Sequence, residues 1–114
     1  MATYGKQVLS GSTDGKGIPV AATAIASGTT IHTAATEIDV VTIWAMNSYS
    51  AALALTLGWG GTTADADLII VTIPFNSGLT LVVADLPIKN SLVVKAATTQ
   101  ASKIQLFGSV NRIS

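Results

Sequence analysis

The sequence predicts an all-β fold, an antiparallel β-sandwich of jelly-roll type with about eight strands, with an immunoglobulin-like sandwich as the alternative. Three observations carry this expectation. Short apolar or alternating runs are separated by turn residues about every eight to twelve positions. No stretch sustains a helical period over the length a helix needs. The most apolar region, Val40 to Trp59, alternates at period two on both sides of a polar break at Asn47 to Ser50.

In chain order, Thr3 to Ser10 is extended, either an edge strand or an arm. Gly11-Ser12-Thr13-Asp14-Gly15-Lys16-Gly17 breaks regular structure, because glycine, Asp and Ser favour turns and left-handed backbone. This gives an organisation of 1–17 as arm and Gly-rich turn and 18–114 as the sandwich. Ile18-Pro19-Val20 resumes an extended path, held to an edge by Pro19, which has no amide to donate. Ala21 to Ala26 is boxed between Pro19 and Ser27-Gly28 and reads as extended. The β-branched run at Gly28 to Thr33 predicts a strand of about five residues, and Ala34 to Glu37 connects it to the central region.

Within that region Val40, Trp44 and Met46 share one face, and Val41 and Ile43 the other. After the break, Leu53, Leu55, Leu57 and Trp59 oppose Ala52, Ala54, Thr56 and Gly58, so a large-residue face backs onto a small-residue one. Two adjoining strands with polar reversal between them are expected. Gly60 to Asp67 is a loop with room for one Thr-capped turn. Leu68 to Pro74 is almost continuously apolar, which predicts a strand buried on both faces. Phe75 to Gly78 is a turn, Leu79 to Val83 a strand, and Asp85, Pro87 and Asn90 punctuate a connection. Ser91 to Ala96 is another strand. Lys103 to Ile113 places Ile104, Leu106, Gly108 and Val110 on one side and polar residues on the other, with Phe107 the exception, so it is expected half exposed.

Charged residues make up only 11% of the 114-residue chain while 49% is hydrophobic, against about 25% charged in an average domain. A domain of this size leaves about a third of its surface exposed, so some apolar residues are expected to meet another subunit; a merely Ala-rich monomer is the other reading. Six basic and six acidic residues are thinly spread, which supplies no patch for nucleic acid or anionic lipid. Without cysteine, disulfides and thiolate metal sites are excluded. The N-terminal residues lack the layout of a signal peptide, and no apolar run reaches the roughly 18 residues of a membrane helix.

Candidate chemistry is thin. The Gly11 to Gly17 run is one residue short of a phosphate loop, and Gly17 stands where magnesium would need a hydroxyl. Asp65 and Asp67 offer two carboxylates to a cation that takes about six to eight oxygens, so a solvated or capped turn is the expectation and no metal is assigned. Glu37 and Asp39 would share a strand face, and His32 is the only histidine, but no nucleophile elbow or acidic cleft accompanies them. No catalytic residue or cofactor is expected, and an enzyme is not. Trp44, Trp59, Tyr49, Tyr4, Phe75 and Phe107 read as core or subunit interface before they read as a ligand shelf.

Five strings stand out together: Tyr4-Gly5-Lys6-Gln7-Val8-Leu9-Ser10-Gly11, Leu57-Gly58-Trp59-Gly60-Gly61-Thr62-Thr63, the Ile73-Pro74 to Gly78-Leu79 turn, Leu92 to Ala96, and Gly108-Ser109-Val110-Asn111-Arg112-Ile113. Taken together they resemble a family of small β-rich proteins encoded among the virion structural genes of tailed bacteriophages. The chain departs from that pattern at Ala84 to Pro87 and at its compact Glu37-Ile38-Asp39 segment. The resemblance implies a virion protein made in the host bacterial cytoplasm, above all a capsid decoration or cement protein. Its implied partners are further copies of itself, in threes about a local axis, and the major capsid protein or other virion subunits, with no direct nucleic acid and no membrane. The segment Ala2 to Gly17 would order on docking, and the expected interface residues are Tyr4, Val8, Leu9, Trp44, Tyr49, Trp59, Phe75 and Phe107. A tail, neck or baseplate component, or a host-surface module with Trp59 or Tyr49 exposed, are the alternatives.

Overall fold

The computed structural model describes residues 4–63, 66–76 and 78–113. Nine strands follow one another: β1 Tyr4–Val8, β2 Ile18–Pro19, β3 Thr29–Thr33, β4 Ile38–Asn47, β5 Leu53–Trp59, β6 Leu68–Ile73, β7 Thr80–Ile88, β8 Val93–Thr98 and β9 Ile104–Ile113. Among the described residues there is one 3-10 turn, Ile25–Ser27, which overlaps the end of the stretch 21–26 expected to be extended. The strands form two antiparallel sheets, β1-β9-β4-β7 with the short β2 also on β9, and β3-β8-β5-β6.

This order has a simple origin. β1 pairs β9, β3 pairs β8, β4 pairs β7 and β5 pairs β6, so the chain is one long two-stranded ribbon folded back at its middle. Rolling that ribbon brings β4 against β9 and β5 against β8, which splits it into two sheets. The result is the jelly-roll sandwich.

The inward faces follow the period-two pattern. Val41, Ile43 and Ala45 of β4, Leu53, Leu55 and Leu57 of β5, Val94 and Ala96 of β8, and Ile104, Leu106 and Val110 of β9 are all buried in one core. At the centre of β9 the chain needs Gly108, because a β-carbon there would run into the Thr42 carbonyl of β4 and the Leu9 side chain.

Several expectations are corrected. β4 and β5 are not adjoining strands: they lie in opposite sheets, and the chain arches across between Asn47 and Leu53. Asn47 holds that corner from inside, its amide donating to the carbonyls of Ala51 (3.0 Å) and Ile73 (2.9 Å) and its oxygen accepting the Tyr49 amide (2.8 Å). β6 is not buried on both faces; it is an edge strand whose Ile70 is 68% exposed, and only Ile73 is fully inside. β7 continues through Asp85 and Pro87 rather than ending before them. It does so by register shifts against β4 and a positive φ of 52° at Asp85, whose amide and carboxylate both meet the Thr42 hydroxyl.

The amino-terminal segment takes the edge-strand alternative: β1 pairs five residues of β9. Leu9, expected at an interface, is 1% exposed and belongs to the core, because the chain past β1 runs against β3, where the Gly11 amide donates to the Ile31 carbonyl and Ser10 meets His32 and Thr33. Gly11 to Gly17 is a turn closed by Ser12 N to Leu9 O and Lys16 N to Thr13 O, with positive φ at Asp14 and Gly15.

Candidate functional site

Two features stand out: a buried polar cluster between the sheets and an apolar row on the outside of one of them. The cluster begins with parity. Asp39 shares the inward face of β4 with Val41 and Ile43, and Arg112 shares that of β9 with Val110; the two are direct cross-strand partners. The Arg112 guanidinium donates twice to the Asp39 carboxylate, Nε to Oδ1 at 2.7 Å and Nη2 to Oδ2 at 2.9 Å. His32 arrives from the opposite sheet. A register shift in β3 turns Ile31 and His32 inward consecutively, where strict alternation would send one of them out.

The imidazole sits 1% exposed with Nε2 at 2.8 Å from Asp39 Oδ2, while its Nδ1 accepts the Ser10 amide at 3.0 Å. An amide only donates, so Nδ1 carries the lone pair and Nε2 the proton. The Ala35 amide adds a fourth donor to Asp39 at 3.2 Å. The Arg112 guanidinium, helped by the His32 and Ala35 hydrogen bonds and opposed by burial, lowers the Asp39 carboxyl from 3.8 to about 2. The same carboxylate raises Arg112.

The cluster contains serine, histidine and aspartate, but their atoms are not set for nucleophilic chemistry. Ser10 faces the ring with its amide, and its hydroxyl oxygen instead accepts the Thr33 amide at 2.7 Å. Both imidazole nitrogens are engaged by the protein. What the arrangement does is tie together β3, β4, β9 and the chain after β1, a lock between the two sheets. Glu37, read as Asp39's companion, is exposed, and its charge adds to that of Asp39 in raising Arg112.

The second feature lies on the outer face of the β1-β9-β4-β7 sheet. Trp44 of β4 stands directly opposite Phe107 of β9 on one side and Leu81 of β7 on the other. Side chains so paired are neighbours about 5 Å apart at the β-carbon. Trp44 is 38% exposed and Leu81 45%; Phe107 is half-buried because the backbone of Gly17 lies against its ring. No family model, curated protein or solved structure matches this chain.

Of the expected interface residues, the sheet brings together Trp44 and Phe107, with Val8 exposed on the same face opposite Ser109, two residues along β9. Trp59 and Tyr49 are instead half-buried against the core, the Trp59 indole donating to the Pro87 carbonyl at 3.3 Å. Phe75 is exposed and bridges to Asn47 at the corner. The backbone of Tyr4 pairs with Ile113; its side chain lies outside what is described. Leu81 and Arg112 were missed by sequence reasoning, although the parity of β9 already put Arg112 on the face of Val110.

Asp65 lies outside the described residues. Asp67 closes a turn, accepting the Thr63 amide at 3.1 Å, and no group of three potential metal ligands occurs among the described residues. Two open hollows, about 270 Å³ beside Gly60, Leu92 and Lys95 and about 200 Å³ beside Ile25, Thr56 and Ile70, fall below the roughly 300 Å³ at which ligand pockets begin. No described helix is long and apolar enough to cross a membrane.

Proposed function

We propose that the chain is a structural subunit of a tailed-bacteriophage virion, above all a capsid decoration or cement protein that docks on the head shell as an oligomer. The observation that carries the reading is the Leu81–Trp44–Phe107 row. It is an uncharged strip across three strands of a sheet whose other face already has its core. Aromatic side chains with few charges characterise the centre of protein interfaces, and Trp is the commonest energetic anchor there. The fold class is one that viral shell subunits also use, which supports the reading by analogy only. The sequence resemblance and the low charge point the same way. In this reading the rigid sandwich spreads load between shell subunits, and copies gather about a local axis with their apolar faces inward.

The test is the copy number of the chain in purified particles of a phage that encodes it, by quantitative mass spectrometry against the major shell protein. Copies in proportion to shell subunits are expected, and Trp44→Ser is expected to lower that occupancy by about tenfold or more while the isolated protein stays folded. A handful of copies per particle would replace the head assignment with a tail, neck or baseplate one. Absence from particles would overturn both.

A further inference from the structure

Sheet edges expose unpaired amides and carbonyls, and natural proteins blunt them with charge, proline, bulges or shortness. Three of the four edges in this sandwich carry such a device. The β1 and β2 edge has Lys6 and Pro19. β7 has Asp85, Pro87 and its register shifts. β3 is five residues long and bulged. β6 has none of these: Leu68-Ile69-Ile70-Val71-Thr72-Ile73 is uncharged, contains no proline, and pairs β5 over six consecutive residues without a shift. It also carries Ile70, the most exposed large apolar side chain among the described residues.

We propose that β6 is a strand-pairing edge through which two copies of the chain join, antiparallel, about a two-fold axis at Ile70. The occupant follows from the strand itself. An open β edge is completed by another extended backbone, and a two-fold contact requires a surface complementary to itself. In an antiparallel pair, side chains on the same face must oppose each other, so the residue numbers of partners sum to an even value. The sum of 140 sets Ile70 against Ile70 of the partner subunit, Leu68 against the partner's Thr72, and Ile69 against the partner's Val71. This register sets the two exposed isoleucines side by side on the outer face, pairs apolar with apolar on the inner face, and brings no like charges together. The two β3-β8-β5-β6 sheets become one continuous eight-stranded sheet. This contact does not depend on the virion reading.

The chain has no cysteine, so a single introduced thiol reports one position. Opposed α-carbons in an antiparallel pair are about 4.5–5.5 Å apart, inside the range a disulfide spans. Under mild oxidation Ile70→Cys is expected to form a covalent dimer at least about tenfold faster than Leu92→Cys, a control that is also exposed. Light scattering on the unmodified protein is expected to show dimers, and Ile70→Lys, which sets two ammonium groups opposite each other, is expected to give monomers with unchanged circular dichroism. An unmodified chain that stays monomeric at all concentrations, equal oxidation rates for the two thiols, or a dimer that survives Ile70→Lys would each overturn the proposal. Open-ended polymers of the unmodified chain would overturn the two-fold closure as well, because a heterologous edge contact does not close.

Discussion

Replacing Asp39 by Asn keeps the shape of the side chain and removes its charge, and the consequences can be worked from four contacts. The carboxylate accepts from Arg112 twice, from His32 and from the Ala35 amide, and it is fully buried. An asparagine offers one oxygen to these donors and turns an NH2 toward the rest, so at least one donor meets another. Breaking a buried pair from one side costs about 3–5 kcal/mol. Arg112 is 30% exposed and partly keeps its hydration, which places the expectation at the lower end, about 3 kcal/mol. With a urea slope of about 1–1.5 kcal/mol/M for a domain of this size, the midpoint should fall by about 2–3 M.

The pH dependence separates charge from shape. The folded carboxyl titrates at about 2 against an ordinary 3.8, so its contribution is fully present above about pH 4 and is lost as pH falls through about 2. That difference is worth about 2 kcal/mol. The gap between the parent and Asp39→Asn should therefore narrow from about 3 kcal/mol at pH 5 to about 1 near pH 2. Urea titrations monitored by circular dichroism at both pH values decide it. A midpoint shift under about 0.5 M at pH 5, or a gap of the same size at both pH values, would refute the account of the cluster as a charge-based lock.

Two further substitutions test the frame. Leu9→Ala should cost about 2–5 kcal/mol in urea unfolding, since the side chain lies in the core; a cost under about 0.5 kcal/mol would return it to a surface role. Gly108→Ala should cost about 2 kcal/mol or more because its β-carbon meets the Thr42 carbonyl, whereas Gly5→Ala, with nothing near the new atom, should change the urea midpoint little. Equal effects at the two glycines would mean that β9 and β4 have room to part.

What was legible in the sequence was whatever depended on period two. The alternation of Leu53, Leu55 and Leu57, and of Ile104, Leu106 and Val110, gave the inward faces directly. Extended by one step, the same parity puts Asp39 and Arg112 inside. Bulges erase that signal. His32 faces inward only because β3 slips by one residue beside it, so neither its burial nor its meeting with Asp39 follows from local pattern. Pairing is equally silent: the break at Asn47 to Ser50 reads the same whether the chain turns back beside itself or crosses to the other sheet, and a buried Asn47 amide decides for crossing. The continuous apolar run of β6 misled because an edge strand left unprotected has the composition of a central one.

That ambiguity bears on how the two proposed contacts relate. The Trp44 row lies on the outer face of the β1-β9-β4-β7 sheet and points away from the sandwich. The β6 edge belongs to the other sheet, and its partner would lie in that sheet's own plane. The two surfaces share no residue and no strand, so occupation of one leaves the other free, and substitutions at the two should act additively. Trp44→Ser should leave the oxidation rate of Ile70→Cys unchanged, and Ile70→Lys should leave any contact made through Trp44 intact. Coupling between them would mean that both side chains serve one interface, which this topology does not permit for a single rigid partner copy joined about the two-fold at Ile70.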